Sequence, residues 1–374
     1  MPPSLLAPHA SRTVMIMAGG TGGHVYPGLA VAQTLHAQGW HVVWLGTRAG
    51  LEAKLVPPYG YEMVWLKFGG VRGKGLLRLA ALPLQLLLAF AQSARAMFKH
   101  RPDVVLGLGG YTAFPGGMMA SLFNRPLVVH EQNSIGGLTN RVLACLADKV
   151  LVAFPKVFQG TNDKPIPCGK VAAVHVGNPV RAEIAALPEP ATRMAQRSGA
   201  LRVLVVGGSL GAQALNDAVP KALAQIDAAA RPEVVHQAGL KHIEQLQAGY
   251  ADAGVTAEVV AFIDDMAARY DWCDVVVCRA GALTVAELAA AGVASVLVPY
   301  PHAVDDHQTT NAKFLSDAGA AVLLPQTELT PTRLAQLLRE FTREQLLAMA
   351  QKARALAKPD ATRQVAKVCM ELAA

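Results

Sequence analysis

A glycine-rich stretch close to the start of the chain ends in a histidine. The segment AGGTGGH, residues 18–24, places four glycines and a threonine before His24. Glycines let the backbone approach a phosphate or a sugar closely, and a helix that begins there favours negative charge. Because histidine titrates near neutral pH, His24 is a candidate general base. The spacing does not fit a dinucleotide loop, since Val25 stands at its last glycine position, and no Gly-Lys-Ser/Thr follows for a P-loop.

Two further polar stretches in the first half follow runs that read as buried strands. They are GLGGYTAFPGG, residues 107–117, and HEQNSIGGLTN, residues 130–140. Polar, glycine-rich loops after buried strands usually line a site rather than a core. The side chains in them that could contact a hydroxyl or remove its proton are Tyr111, His130, Glu131, Asn133 and Asn140.

The second half carries its own candidate binding residues. GGSLGA, residues 207–212, offers backbone amides and the hydroxyl of Ser209 to a pyrophosphate. In RAGALTVAELAAAG, residues 279–292, small residues open a helix, and Glu287 follows about one turn later, where a carboxylate can accept hydrogen bonds from two ribose hydroxyls. The loop PYPHAVDDHQTTNAKFL, residues 299–315, suits a sugar better than a metal, because its spacing matches no strong ligand signature.

Short apolar runs alternate with helix-length segments along the chain and must position these residues. Among the runs are TVMIMA at 13–18, DVVLGLGG at 103–110 and DVVVCRAG at 274–281. Such alternation predicts parallel sheets covered by helices on both faces. The succession of strand, glycine turn and helix at Gly19 restarts at Gly207, so we expect two doubly wound α/β domains. Ligands of such sheets bind beyond the carboxyl ends of the strands.

The overall composition is that of a basic globular protein. The chain has 374 residues, of which 52% are apolar and 16% charged, enough for two domains and without signs of disorder. Its formal net charge of +7 points to an anionic partner such as a phosphate, a nucleic acid or a membrane surface. The first eleven residues lack the basic and apolar regions of a signal peptide. The five scattered cysteines are expected to be reduced thiols, as in a cytoplasmic protein.

The most apolar segment of the chain begins at Gly75 and lies within residues 71–101, which combine leucines with arginines and lysines. Arg78 and Pro83 interrupt it well short of the ~20 apolar residues that a membrane-spanning helix needs, so no such span is expected. Two interpretations stay open from the pattern alone. One is an amphipathic helix on an anionic membrane surface, and the other is a buried packing helix with solvated basic ends.

Taken in order, these motifs resemble the bacterial MurG family of N-acetylglucosaminyltransferases. The shared motifs run from about Val14 past Pro325 and read GGTGGH, GGY…PGG, HEQN…GLTN, VGNPVR, GGS.GA, FIDDM, RAGALTVAEL and HQ..NA. The resemblance implies a GT-B fold of the α/β class, with two Rossmann-like doubly wound domains facing across a cleft. Residues 12–180 would form an acceptor-binding and membrane-facing domain, and residues 181–358 a UDP-GlcNAc-binding domain. A final helix at about 359–374 would pack back on the first domain.

The same resemblance implies an inverting glycosyl transfer. N-acetylglucosamine would move from UDP-GlcNAc to the C4 hydroxyl of the MurNAc unit of lipid I, giving lipid II and UDP in peptidoglycan synthesis. Two rivals stay open: a GT-B glycosyltransferase with another lipid acceptor such as a diacylglycerol, and a non-catalytic, membrane-associated binder of nucleotide sugars. The acceptor-side stretches 107–117 and 130–140 count against the first rival. The joint presence of the catalytic and nucleotide-binding candidates counts against the second.

The resemblance also implies a role for each matching position. His24 is the preferred base, and Glu131 is the second choice. The residues expected to bind UDP-GlcNAc are Thr21, Gly22, Gly23, Asn133, Arg181, Ser209, Ile263, Ala282, Leu283, Thr284, Glu287 and Gln308. The residues expected to contact the acceptor are Gly20, Tyr111 and Asn140.

The family pattern sets further expectations for cofactors, partners and location. The sequence has no D-x-D motif, so no metal ligand and no required cofactor are expected, while stimulation by a divalent cation such as Mg²⁺ stays open. The expected partners are UDP-GlcNAc, lipid I and an anionic membrane surface contacted through residues 71–101, but no nucleic acid. Contacts with other cell-wall enzymes stay open. The chain is expected to be a peripheral protein at the cytoplasmic face of the bacterial inner membrane.

Overall fold

The computed structural model describes residues 12–69, 82–158, 171–208 and 211–374. The chain divides into two compact units. The first unit runs to Pro179 and also contains the C-terminal segment Asp360–Ala374, and the second unit is Val180–Pro359. The chain therefore passes from the first unit to the second and returns once for its last helix.

The first unit is built on a parallel sheet. Within the described residues its strands are β1 (Thr13–Met17), β2 (His41–Gly46), β3 (Glu62–Trp65), β4 (Val104–Gly107), β5 (Leu127–Glu131), β6 (Lys149–Val152) and β7 (Ala173–His175). Its helices are α1 (Gly22–Ala37), α2 (Glu52–Leu55), α3 (Leu82–His100), α4 (Ala113–Leu122), α5 (Leu138–Ala144) and, from the end of the chain, α15 (Ala361–Leu372), with a 3₁₀ turn at Pro57–Tyr59. The strand order is β3-β2-β1-β4-β5-β6-β7. The chain adds strands on one side of β1 as far as β3 and then on the other side from β4 onward, and doubly wound sheets bind their ligands at this switch between β1 and β4.

The core of the first unit surrounds its central strand β1, in which every residue from Val14 to Met17 is fully buried. Helix α1 packs closely over the sheet because Gly28 faces Trp44, where an added Cβ would lie 2.7 Å from the indole ring. Helix α15 packs on α1 and joins the same apolar core through Val365 and Cys369. The last helix of the chain thus completes the first unit.

The second unit repeats the arrangement. Its strands are β8 (Arg202–Val206), β9 (Glu233–Gln237), β10 (Glu258–Val260), β11 (Val275–Cys278), β12 (Ala294–Leu297) and β13 (Ala321–Leu323). Its helices are α6 (Ala182–Ala185), α7 (Pro190–Met194), α8 (Gln213–Ala224), α9 (Ile243–Asp252), α10 (Met266–Trp272), α11 (Ala282–Ala291), α12 (His307–Ser316), α13 (Pro331–Glu340) and α14 (Arg343–Ala355), with 3₁₀ turns at Ala228–Ala230, Val304–Asp306 and Gln326–Glu328. The parallel order β10-β9-β8-β11-β12-β13 reverses between β8 and β11. The expected α/β class with two doubly wound sheets is therefore confirmed.

Two other sequence expectations concern membrane-spanning helices and the state of the cysteines. No helix in the described part of the chain is long and apolar enough to cross a membrane. Cys273, Cys278 and Cys369 are buried free thiols, but Cys145 is disulfide-bonded, so the expectation of five reduced cysteines is wrong at that position. The spacing of cysteines along a chain does not show which sulfur atoms come within bonding distance in the fold.

Candidate active site

The glycine-rich loop between β1 and α1 is held by a buried carboxylate. The amide of Gly20, whose φ is +90°, donates to Glu52 Oε2 at 2.9 Å. Glu52 is fully buried, and its Oε1 accepts from the amide and the hydroxyl of Thr47 at 2.8 and 2.9 Å. The amide of Gly20 is therefore not left for a phosphate, which separates this loop from a dinucleotide-binding loop. Sequence reasoning missed Glu52, because no local pattern links it to a loop 32 residues away.

His24 lies in the first turn of α1, where it is half-buried. Its Nδ1 lies 2.8 Å from Gln132 Oε1. An amide oxygen only accepts hydrogen bonds, so Nδ1 donates and the neutral ring keeps its lone pair at Nε2. Gly109 leaves room for the ring, because a Cβ there would lie 3.2 Å from His24 Cε1. A half-buried imidazole with an accepting nitrogen is suited to take a proton from a hydroxyl group.

Glu131, the last residue of β5, is buried and its carboxylate holds the following loop. Its Oε1 accepts from the amide and the side chain of Asn133 at 2.9 and 3.2 Å. Its Oε2 accepts from the amide of Gly137 at 3.0 Å and from Asn140 Nδ2 at 2.9 Å. Both oxygens are thus engaged by donors of the protein. This arrangement favours His24 over Glu131 as the base.

The candidate acceptor residues lie at the carboxyl ends of strands in the first unit. Tyr111 follows β4, and its hydroxyl lies 3.0 Å from the Thr47 hydroxyl. Asn140 Nδ2 donates to Glu131 and to a backbone carbonyl, while Asn140 Oδ1 is buried without a partner among the described residues. Thr21 is the exposed residue that precedes α1. Gly20, Tyr111 and Asn140 are therefore brought to the same sheet edge as His24.

In the second unit, the buried Glu287 forms an ion pair with the partly buried Arg181. Arg181 Nε and Nη2 lie 3.1 and 3.0 Å from the same oxygen, Glu287 Oε1. The hydroxyl of Tyr270 lies 3.5 Å from the other oxygen, Glu287 Oε2, a long contact. Burial raises the pKa of Glu287, and the Arg181 guanidinium opposes that rise. Oε2 is the oxygen with the greater remaining capacity to accept a ligand's hydroxyl groups.

The N-terminus of α11 lacks a side-chain cap. Gly281 is its N-cap residue and offers no side-chain acceptor. The first-turn amides of Ala282, Leu283 and Thr284 therefore have no partner within the helix, and they stand at the positive end of its dipole. This geometry suits an anion. Ser209, predicted to bind the same diphosphate, lies outside the described residues.

Gln308 stands in the first turn of α12, and its Oε1 accepts from the amide of Tyr300 at 3.0 Å. Two further residues shape this region: Arg279, to which sequence reasoning gave no role, and Asn311, which lies in the loop 299–315 that the sequence predicts to bind a sugar. Arg279 Nη1 donates to two carbonyls just after β12, and Asn311 Nδ2 donates to the carbonyl of Ala280 before α11. Ile263 is buried in the loop between β10 and α10. In the described ranges, no group of three or more histidine, cysteine or acidic side chains is placed to hold a metal ion.

Two domain families match most of the chain. The glycosyltransferase family 28 N-terminal domain matches residues 14–152. The glycosyltransferase family 28 C-terminal domain matches residues 202–365.

Curated relatives match along nearly their whole length. A protein of Thiobacillus denitrificans is named UDP-N-acetylglucosamine--N-acetylmuramyl-(pentapeptide) pyrophosphoryl-undecaprenol N-acetylglucosamine transferase. It is 64% identical over 364 residues, which cover 97% of this chain and 99% of the relative. A protein of Dechloromonas aromatica with the same name is 59% identical over 363 residues, with 97% and 99% covered.

Solved structures show the same likeness. The crystal structure of Acinetobacter baumannii MurG matches with a TM-score of 0.82 and 42% identity, covering 96% of this chain and 99% of that one. The calicheamicin glycosyltransferase CalG4 matches with a TM-score of 0.62 over 97% of this chain and 98% of its own, but at 18% identity, which shows a shared fold alone.

Proposed function

Because the chain belongs to the MurG family, within glycosyltransferase family 28, we propose that it transfers N-acetylglucosamine from UDP-GlcNAc to lipid I. The products are lipid II and UDP, and the reaction is a step of peptidoglycan synthesis. The observation that carries this proposal is the 64% identity, over 97% of the chain, with the named transferase of Thiobacillus denitrificans. The protein is accordingly a hexosyltransferase with a GT-B fold.

The transfer requires a base for the acceptor hydroxyl, and His24 takes that role in our proposal. Its Nε2 accepts the proton of the MurNAc C4 hydroxyl while that oxygen attacks the anomeric carbon of the donor. The bond from the anomeric carbon to the UDP oxygen breaks as the new bond forms on the opposite face, so the configuration inverts. The lone pair at Nε2, which follows from the hydrogen bond between His24 Nδ1 and Gln132, supports this role. Glu131 stays the second choice.

The leaving UDP requires stabilisation of its negative charge. In our proposal the first-turn amides 282–284 of α11, together with Ser209, receive the diphosphate. Glu287 binds the ribose hydroxyls with Arg181 as its counter-charge, and the backbone at Ile263 meets the uracil. The scheme needs neither a metal nor another cofactor.

The remaining candidates contact the two sugars. We assign Gln308 and Asn133 to the transferred N-acetylglucosamine, together with Thr21, Gly22 and Gly23. We assign Gly20, Tyr111 and Asn140 to the acceptor.

We further propose that the protein is peripheral and works at the cytoplasmic face of the inner membrane. Lipid I carries an undecaprenyl chain, so this acceptor is approached from a bilayer surface. Helix α3 supports the proposal, because Leu84 and Leu87 are 76% and 70% exposed. The net charge of +7 suits an anionic lipid surface. Residues 71–81 of the apolar stretch lie outside the described residues.

The test is the release of UDP from UDP-GlcNAc in the presence of alternative acceptors. We expect release, together with a disaccharide product whose new linkage is inverted, only when a lipid I analogue is present. Turnover with a diacylglycerol in place of the analogue would overturn the peptidoglycan assignment. Binding of UDP-GlcNAc without turnover on any acceptor would instead indicate a non-catalytic binder. The same assay in EDTA should give an unchanged rate if no metal takes part.

A further inference from the structure

A chain of hydrogen bonds leads from the backbone of the first unit to the proposed base. It begins at the carbonyl of Gly177, which lies 2.9 Å from His130 Nε2. A carbonyl oxygen only accepts, so His130 Nε2 carries the proton of this bond. His130 is fully buried, and burial lowers its pKa to about 4, which keeps the ring neutral at pH 7. Its Nδ1 is therefore an acceptor.

The side-chain amide of Gln132 is oriented by His130. Gln132 Nε2 lies 3.0 Å from His130 Nδ1 and 2.9 Å from the backbone carbonyl of His130. Both partners are acceptors, so the NH₂ group of the amide must face them. The amide oxygen Oε1 is then left on the opposite side, 2.8 Å from His24 Nδ1. Gln132 and His130 are both buried, so solvent does not compete for the bonds between them.

We propose that Gln132 is a positioning residue that fixes the tautomer of His24, with the proton on Nδ1 and the lone pair on Nε2, and that His130 fixes the orientation of Gln132. The order of donors and acceptors permits only this direction, because it starts at a carbonyl that cannot donate. Among the described residues, His24 Nε2 has no bond from the protein that would compete with a substrate hydroxyl. The inference rests on the proposed function, in which His24 is the base.

The amide differs from a carboxylate in two chemical respects. A carboxylate would also accept from Nδ1, but it would place a negative charge beside the ring and could not donate to His130 Nδ1. Gln132 instead satisfies two histidines with one neutral group, accepting from one and donating to the other. Glu131, the acidic residue between His130 and Gln132 in the sequence, has its carboxylate oxygens engaged by the loop that follows β5. Selection of the tautomer is therefore separate from stabilisation of the imidazolium ion.

The direct test is ¹⁵N NMR of the ring nitrogens in the full chain, labelled at histidine and studied at a pH where the His24 ring is neutral. The spectrum of His24→Ala identifies the His24 signals by their absence. We expect a protonated Nδ1 and an unprotonated Nε2 in the wild-type protein. The opposite tautomer in the wild-type protein would overturn the inference without any need for a variant at Gln132.

Two variants at Gln132 then link the tautomer to turnover. Gln132→Met keeps the bulk but removes the acceptor, so we expect the Nε2–H tautomer to appear and kcat to fall about 10- to 100-fold, with KM for UDP-GlcNAc little changed. Gln132→Glu again offers an acceptor to Nδ1 but no hydrogen to His130, so the Nδ1–H tautomer should return and kcat should lie above that of Gln132→Met. Gln336→Met, the same substitution at an exposed glutamine of the second unit, serves as the control and should leave kcat unchanged.

The outcomes separate this inference from the proposed function. A Gln132→Met protein with wild-type kcat, or one with lowered kcat and an unchanged tautomer, overturns the positioning role while the glycosyl transfer stands. If the wild-type protein shows the expected tautomer but no transfer to a lipid I analogue, the proposed function fails and the hydrogen-bond chain stands.

Discussion

A substitution of His24 should affect the chemical step without affecting the binding of UDP-GlcNAc. The change His24→Ala removes the proposed base but none of the proposed nucleotide contacts. We expect kcat to fall about 10²- to 10⁴-fold, the usual contribution of a general base, with the Kd for UDP-GlcNAc from calorimetry staying within about twofold. A loss of affinity with kcat retained would make His24 a binding residue.

Glu131 should respond in a different way, because its carboxylate serves the fold of the loop after β5. In Glu131→Ala, the buried side-chain amide of Asn140, the half-buried Asn133 and the backbone amide of the exposed Gly137 lose their acceptor. A buried donor left unpaired costs about 1–3 kcal/mol, so we expect the free energy of unfolding to fall by about 3 kcal/mol and the Tm by several degrees. Thermal melts against Glu233→Ala, an exposed carboxylate on β9, measure the difference. An unchanged Tm with kcat abolished would favour Glu131 as the base.

At the scale of elements, the apolar runs are enough to predict the central strands of both sheets. Parallel strands buried on both faces read as continuous apolar segments, as β1 and β11 do. Strands β3 and β7 escape this reasoning because they are the two edge strands of the first sheet and are not fully buried. Their short sequences, EMVW and AVH, carry no long apolar run. Edge strands depend on the neighbour that they pair with, which a local pattern does not contain.

The residues of the candidate site also differ in how readily the sequence reveals them. His24 and Glu287 stand out in the sequence because their types and spacing suit a base and a ribose ligand. Glu52 and Gln132 do not stand out, because each acts on a residue far away in the sequence. Glu52 holds Gly20, 32 residues away, and Gln132 holds His24, 108 residues away, through one hydrogen bond each. Such pairs follow from the order of strands in the sheet and become visible only in the fold. Sequence therefore finds the reactive residues more readily than the residues that orient them.

Two strands each bury a histidine, which makes stability depend on pH. Burial lowers the pKa of His130 in β5 to about 4 and that of His236 in β9 to about 3. The unfolded chain binds protons near pH 6.5 while the folded chain does not, so stability is fully present above pH 6.5 and declines as the pH falls below it. We expect each buried histidine to lower the free energy of unfolding by about 2 kcal/mol as the pH falls from 7 to 5. Urea unfolding between pH 7 and pH 5 measures how the free energy of unfolding depends on pH, and His236→Gln should weaken that dependence. A free energy of unfolding that does not change with pH would contradict this prediction.

At the scale of the whole molecule, the last helix belongs to the first unit although it follows the second in the sequence. Val365 of α15 is fully buried against the core that contains α1. The change Val365→Asp places an unpaired charge there, so we expect the first unit to lose several kcal/mol of stability. Hydrogen exchange read by mass spectrometry should show lost protection in α1 and retained protection in β8. Equal loss in both would mean that the two units unfold together.

The exposed leucines of α3, in the first unit, predict binding to a membrane surface. Leu84 and Leu87 on α3 expose apolar area that water does not favour, whereas a lipid surface would bury it. Because full burial of a leucine is worth about 2 kcal/mol, the double change Leu84→Ser with Leu87→Ser should weaken binding to phosphatidylglycerol vesicles at least about tenfold in co-sedimentation. The control is Leu240→Ser, a 68% exposed leucine of the second unit, which should bind vesicles as the wild type does. Equal weakening by both changes would place the membrane contact elsewhere. Since the net charge of +7 also attracts anionic lipid, binding by all variants should fall with added salt.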